Sequence, residues 1–155
     1  MVLRFAQDDV GDWVAELDCL HRQHVRHDPP FWSAPWVLDT LARTRRVGTP
    51  FDCVLCDRLE LPTDLQVVRV TDTWDELTTP AGLRRAHRVA AGTWGRMRIE
   101  AGRVRFRAQT SPPVDVVLAA GASQPIPPGV EHEVEPLGPV RFRVEFLGPV
   151  EDPIA

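Results

Sequence analysis

The sequence lacks the features that would place the protein in a membrane or outside the cell. Its 155 residues contain no run of 18 apolar residues. The first residues have neither the long apolar core nor the small-residue cleavage site of a signal peptide. We therefore expect a cytoplasmic location and no membrane partner.

Cysteine is scarce and lysine is absent. The three cysteines cannot all pair with one another, so thiolate or metal chemistry in a reducing compartment is favoured over a disulfide framework. Every basic residue is arginine, and the formal charge is −4 with a pI of about 5.7. This acidic balance argues against nucleic acid as a partner.

The composition of the chain changes near residue 60. All three cysteines and three of the five histidines lie before that point, whereas alternating strand patterns and Pro/Gly turns follow it. The stretch 57–64 is polar and contains proline, as linkers between domains commonly do. We therefore expect two domains, residues 1–60 and residues 61–155.

The first of these domains is predicted to be a small α+β unit. Val2–Phe5 and Trp13–Leu17 have the composition of two strands around a turn rich in Asp and Gly. Asp39 is expected to cap the N-terminus of a short helix that ends near Val47, with Gly48 after it. A piece of about 60 residues has a marginal core and often needs a metal or a disulfide.

The second domain is predicted to consist of strands. Alternation is clearest in Val140–Phe146, where four apolar side chains fall on one face. Ala101-Gly102 has the composition of a tight hairpin turn. Short strands with Gly and Pro turns indicate a sandwich or barrel, so the chain is expected to be mainly β. The predicted strands are Leu65–Val70, Gly95–Ile99, Val104–Arg107, Val114–Leu118, Glu131–Val134 and Val140–Phe146.

The cysteines are spaced like metal ligands. Cys19-x-His21 and Cys53-x-x-Cys56 supply four sulfur and nitrogen donors, which are the number and type that zinc binds tetrahedrally. Four protein ligands leave no position for a reactive water, so we expect a structural site. The free energy of zinc binding, about 10–16 kcal/mol in small zinc-dependent domains, would stabilise a unit with little core of its own.

Other assignments of these residues stay open on sequence alone. His24 is a rival for the fourth ligand position, and His27 is a weaker rival. If only three residues bound the metal, a catalytic water would become available. The CxxC could instead be a redox pair or hold reactive thiols, with the histidines on the surface.

The stretches Gly11–Pro30, Pro35–Leu38 and Cys53–Arg58 carry a family resemblance. They resemble a small bacterial family of uncharacterised domains, sometimes labelled pressure-regulated, over about residues 3–58. Leu20 departs from the pattern, because the family usually has Gly between the Cys and the His. The resemblance identifies the domain without implying an activity.

The sequence of the predicted second domain also contains a known motif. Gly121, Pro127, Gly129 and His132 follow the spacing Gly-x5-Pro-x-Gly-x2-His of the second cupin motif. The first cupin motif is incomplete, since His87 alone represents its His-x-His pair.

A more specific resemblance lies in the stretches Pro80–Gly95 and Glu131–Phe146. They resemble the cupin-like domain named after the tellurite-resistance methyltransferase, which also occurs alone in bacteria. The resemblance implies a cupin-like double-stranded β-helix barrel able to form a homodimer. It implies resistance to tellurite-type oxyanions by name only. The expected fold is therefore a zinc-stapled α+β domain followed by this barrel.

Two features of the barrel are candidates for a ligand site. His87 and His132 are expected to meet in the barrel, where they would either hold a second divalent metal or be polar residues without one. A cupin metal site needs three His and a carboxylate, which counts against the metal. Alternating arginines form either a solvated outer face, which is favoured, or an oxyanion pocket beside His132. These are Arg96, Arg98, Arg103, Arg105, Arg107, Arg141 and Arg143. Trp74 and Trp94 are expected in the core rather than in a pocket.

Three functions are compatible with these patterns. The favoured one is a non-catalytic metal-binding protein, in which a structural zinc domain is joined to a barrel that binds a small molecule or an oxyanion under stress. The second is a metal-dependent cupin enzyme at His87 and His132, which is disfavoured because the His-x-His pair and the Glu of the first cupin motif are missing. The third is a zinc module that binds a partner protein through Trp32 and Trp36.

Overall fold

The computed structural model describes residues 1–150. Contacts within the chain divide it into two compact units, one of residues Met1–Cys53 and one that begins at Val54. This boundary therefore lies before the domain boundary that the composition predicts after residue 60. Strands dominate the secondary structure, so the prediction of a mainly β chain is confirmed. None of the helices in the described part of the chain is long and apolar enough to cross a membrane.

A three-stranded antiparallel sheet forms the first unit. β1 (Val2–Gln7) and β2 (Trp13–Leu17) form the predicted hairpin, whose turn is closed by two backbone N–H groups that donate to Asp8. β3 (Arg22–His24) pairs with the other edge of β2. This third strand has no apolar side chain, and for that reason the sequence pattern does not reveal it.

Two short helices follow the sheet in the chain. α1 (Thr40–Arg46) begins at the predicted cap, since the side chain of Asp39 accepts a hydrogen bond of 2.6 Å from the N–H of Ala42. A 3-10 turn, Pro35–Leu38, precedes it. α2 (Val54–Asp57) starts directly after Cys53.

Two antiparallel sheets form the second unit. One has the strand order β4-β10-β5-β8, and the other has the order β7-β6-β9. The bounds are β4 (Leu65–Val70), β5 (Trp94–Ala101), β6 (Arg103–Ala108), β7 (Val114–Ala119), β8 (Ser123–Ile126), β9 (His132–Pro136) and β10 (Arg141–Pro149). All six predicted strands are present. The sequence pattern does not predict β8, because this strand is only four residues long and contains Pro125.

The core of this unit is built from the inward faces of both sheets. In β5, Met97 and Ile99 are buried, whereas Arg96 and Arg98 lie on the opposite face. Strands of the second sheet contribute buried side chains such as Phe106. Full burial of one large apolar side chain contributes about 1.5–3 kcal/mol. This β-sheet core is consistent with a cupin-like fold.

The chain changes sheet at Gly102. β5 pairs with β8 and β10, whereas β6 pairs with β7 and β9, so the predicted hairpin between β5 and β6 is wrong. Gly102 has a φ of 74°, and a Cβ at this position would lie 2.1 Å from the carbonyl oxygen of Pro139. Only glycine satisfies both conditions, because it tolerates positive φ and has no Cβ.

Candidate metal centre and barrel cavity

Four of the predicted metal ligands come together in the structure. Cys19, His21, Cys53 and Cys56 each offer one ligand atom, and these atoms all lie within 4.8 Å of one another. All four residues are buried, and none exposes more than 9% of its surface. Sulfur and imidazole donors gathered in a buried site favour a soft or borderline metal ion.

The spacing of the donor atoms fits a tetrahedral ion of the size of zinc. Nδ1 of His21 lies 3.6 Å from Sγ of Cys19 and 3.3 Å from Sγ of Cys53. Bond lengths of about 2.3 Å to sulfur and about 2.0–2.1 Å to nitrogen at tetrahedral angles would separate the two donors by about 3.6 Å. The side chain of Gln23 also reaches Sγ of Cys53, at 3.5 Å, and its N–H group would stabilise a thiolate there.

A left-handed residue between β2 and β3 positions the first two donors. Leu20 has a φ of 68°, and its N–H donates to the carbonyl oxygen of Leu17. The N–H of Leu17 in turn donates to the carbonyl oxygen of His21, which closes the loop. A tight reversal of the chain at Leu20 thus brings Cys19 and His21 together.

The variant Leu20→Gly is expected to stabilise the first unit by about 0.5–1 kcal/mol. A left-handed conformation costs a non-glycine residue roughly 1–2 kcal/mol, so glycine removes this strain. Glycine also has a greater chain entropy in the unfolded state, and this offsets part of the stabilisation. Thermal melts of wild type, Leu20→Gly and Leu20→Ala would measure the effect. Alanine keeps the left-handed strain, so equal stability of the Gly and Ala variants would contradict the prediction.

The other two histidines of the first unit lie elsewhere. Nε2 of His24 is 2.9 Å from a carboxylate oxygen of Asp8, and the side chain of His24 is exposed. Hydrogen bonding to His24 lowers the pKa of Asp8. Nδ1 of His27 accepts a hydrogen bond of 3.2 Å from the N–H of Ala34. His21 is therefore the histidine that the structure places with the three sulfurs.

In the second unit, His87 and His132 are adjacent, as the sequence predicts. Their backbones exchange two hydrogen bonds, and their ring centroids lie 5.3 Å apart at nearly right angles. Within residues 1–150 the two rings are not part of any group of three or more candidate metal ligands. The structure thus brings together the two histidines without the further ligands of a cupin metal site.

The protonation of His132 is set by its surroundings. Burial lowers the pKa of His132, and the nearby His87 lowers it further, although a hydrogen bond to the carbonyl oxygen of Val130 opposes both effects. Nδ1 lies 3.1 Å from that oxygen, so the proton of the neutral ring belongs on Nδ1. Nε2 is then a hydrogen-bond acceptor.

Both histidines line a cavity of about 230 Å³. Arg69 and Thr71 are polar members of its lining. Most of the remaining wall is apolar and comes from Trp74, Leu83, Val89, Ile126, Val144 and Phe146. Trp74 therefore contributes to the cavity as well as to the core, whereas Trp94 is fully buried.

The alternating arginines lie away from this cavity. Arg96 and Arg98 both donate to Glu145, at 2.6 and 3.2 Å, and Arg105 binds Asp115 through two hydrogen bonds of 2.7 Å. Burial raises the pKa of Glu145, but the hydrogen bonds from Arg96 and Arg98 outweigh it and leave the pKa lowered. None of the alternating arginines lines the cavity with His132. The arginine that does so is Arg69, which no sequence pattern distinguished.

Comparison with known families divides the chain in two. Residues 3–60 match the model of the family described as Protein of unknown function (DUF3565), and residues 69–144 match that of the TehB-like domain. These matches confirm both resemblances identified from the sequence. No curated protein sequence matches the chain.

Solved structures resemble the chain at low sequence identity. A protein from E. coli (strain K12) is 23% identical with a TM-score of 0.54, over 59% of this chain and 98% of its own. TehB from Haemophilus influenzae is 18% identical with a TM-score of 0.50, over 56% of this chain and 32% of its own. At such identities the likeness concerns the fold alone, and this chain spans about a third of TehB.

Proposed function

Since the chain joins a DUF3565 domain to a TehB-like domain, we propose that it is a metal-binding protein with a structural zinc ion and a barrel that binds a small ligand. The observation that carries the proposal is the buried group of Cys19, His21, Cys53 and Cys56. This donor set supports zinc, which takes three cysteines and one histidine at closed structural sites. Metal thiolates of this type persist in a reducing compartment, which supports a cytoplasmic location.

The residues of the site supply binding and not reaction chemistry. Four protein donors complete a tetrahedron, so a substrate or water has no position at the ion. Zinc, when bound, would supply stability to a unit whose sheet has only three strands. A catalytic role at this centre is for that reason not part of the proposal.

Metal content per chain tests the zinc proposal. Plasma mass spectrometry on protein purified without a histidine tag should find one zinc per chain. His21→Ala should lose most of this zinc, whereas His24→Ala should retain it, because His24 binds Asp8 instead. No metal in the wild type, or equal zinc content in the two variants, would refute the assignment.

The barrel is proposed to bind a ligand through its cavity. The support is the combination of apolar walls with His87, His132 and Arg69. A second metal held by His87 and His132 is the alternative that would favour an enzyme. A second equivalent of metal that disappears in His132→Ala would establish that alternative. A role in tellurite-type oxyanion resistance is supported by the family resemblance alone.

Binding of a partner protein is a weaker alternative. Trp32 exposes 62% of its surface. Trp36, however, packs its ring edge-on against Phe5 at 5.7 Å and under the guanidinium of Arg46 at 3.9 Å. Only one of the two tryptophans expected at such an interface is thus available to a partner. Homodimer formation through the barrel remains a prediction.

A further inference from the structure

The cavity of the second unit contains ring nitrogens without protein partners. Nε2 of His132 and both ring nitrogens of His87 make no hydrogen bond within the described residues. Within residues 1–150, every fully buried side-chain nitrogen or oxygen has a hydrogen-bond partner. Since Nε2 of His132 has no such partner, this atom is not fully buried. It is accessible from the cavity, although the residue as a whole is only 2% exposed. A polar atom in this position is completed by a ligand or a water.

Arg69 supplies a cation at the solvent side of the same cavity. Its side chain is exposed, and its guanidinium carbon lies 4.1 Å from the centre of the Phe146 ring. Within residues 1–150 no carboxylate forms an ion pair with it. Arg96 and Arg98 on β5, by contrast, both bind Glu145. A guanidinium held by stacking alone keeps its N–H groups available for a carboxylate.

The walls and the volume of the cavity restrict the size and the polarity of the ligand. A cavity of about 230 Å³ is smaller than the roughly 300–1,000 Å³ typical of sites for drug-sized molecules. Trp74 and Phe146 offer aromatic surfaces, and Leu83 and Val144 offer aliphatic ones. A single aromatic ring matches both the size and the apolar character of this space.

We propose that the cavity binds a single-ring aromatic carboxylate with a hydroxyl group opposite the carboxylate. The carboxylate binds Arg69 at the solvent side, where its charge keeps part of its hydration. The ring lies against Trp74 and Phe146, and the hydroxyl donates to Nε2 of His132. This inference rests on the proposed ligand-binding role of the barrel and specifies its ligand class.

Calorimetric titration of the full chain with three probes tests the proposal. The probes are 4-hydroxybenzoate, 4-hydroxybenzyl alcohol, which lacks the carboxylate, and benzoate, which lacks the hydroxyl. Wild type should bind 4-hydroxybenzoate more tightly than either analogue. Arg69→Gln should weaken the binding of 4-hydroxybenzoate about tenfold or more and leave the affinity for the alcohol unchanged. Arg105→Gln, which removes an arginine paired with Asp115 outside the cavity, should change neither affinity.

A second variant tests the inner end of the site. His132→Asn should weaken the binding of 4-hydroxybenzoate about tenfold and leave the affinity for benzoate unchanged. Absence of saturable binding by 4-hydroxybenzoate, or an affinity unaffected by Arg69→Gln, would overturn the proposed ligand class. The ligand-binding barrel itself would survive that result if indole shifted the NMR signals of His87 and His132. It would fail together with the ligand class if indole left them unchanged.

Discussion

Cys53→Ser is expected to lower the melting temperature of the first unit by at least about 10 °C or to leave that unit unfolded. Serine replaces a thiolate with a harder, protonated oxygen, and zinc binding contributes about 10–16 kcal/mol in small zinc-dependent domains. For a domain of this size, each kcal/mol lost lowers the melting temperature by about 4–8 °C. Scanning calorimetry on metal-loaded protein, with and without a chelator, measures the effect.

The chelator and a nearby histidine serve as controls. Chelation should bring wild type to the stability of Cys53→Ser and should not destabilise that variant further. His24→Gln removes an exposed pair with Asp8, and exposed ion pairs contribute little to stability. Its melting temperature should therefore stay close to that of wild type. Equal melts of Cys53→Ser and wild type would refute a structural metal.

Gly102→Ala is expected to destabilise the second unit by at least about 3 kcal/mol. The new Cβ would lie 2.1 Å from the carbonyl oxygen of Pro139 and 2.9 Å from Cα of Val140, both of which are backbone atoms. Backbone cannot move aside as a flexible side chain can, so the corner between the two sheets would have to open. The positive φ of 74° adds roughly 1–2 kcal/mol for alanine.

Gly121→Ala is the matched control for this prediction. Gly121 has a φ of 88°, but a Cβ there would meet no atom within 4 Å. The control therefore retains the conformational cost and removes the clash, and it should lose only about 1–2 kcal/mol. Chemical denaturation of both variants gives the comparison. If the two lost equal stability, the contact with Pro139 would carry none of the effect.

Local signals in the sequence were sufficient for much of the fold. The capping Asp39, the alternation in β10 and the turn at residues 8–12 act over a few residues, so each predicted element is present. The group of candidate metal ligands was also predictable, because cysteines are rare in the chain and their spacing is characteristic. The choice between His21 and His24 was not, since it depends on the left-handed conformation of Leu20.

Features that depend on distant contacts could not be predicted. Ala101-Gly102 has the composition of a hairpin, yet pairing with β10 and β8 draws β5 into a different sheet from β6. Arg69 follows the same pattern of valines and polar residues as the rest of β4, so nothing local marks it as part of a cavity. Sequence periodicity shows which face a side chain takes, but not which side chains of distant segments meet there.

The burial of all three cysteines in one group has a practical consequence for labelling. The chain contains no cysteine outside the group, so every thiol that a maleimide or a chromogenic disulfide modifies belongs to this centre. The rate of modification therefore reports how often the centre opens, without any engineered probe. Because Met1 and Met97 lie elsewhere in the chain, fragmentation of oxidised peptides in the mass spectrometer would assign an added oxygen either to this centre or to a methionine.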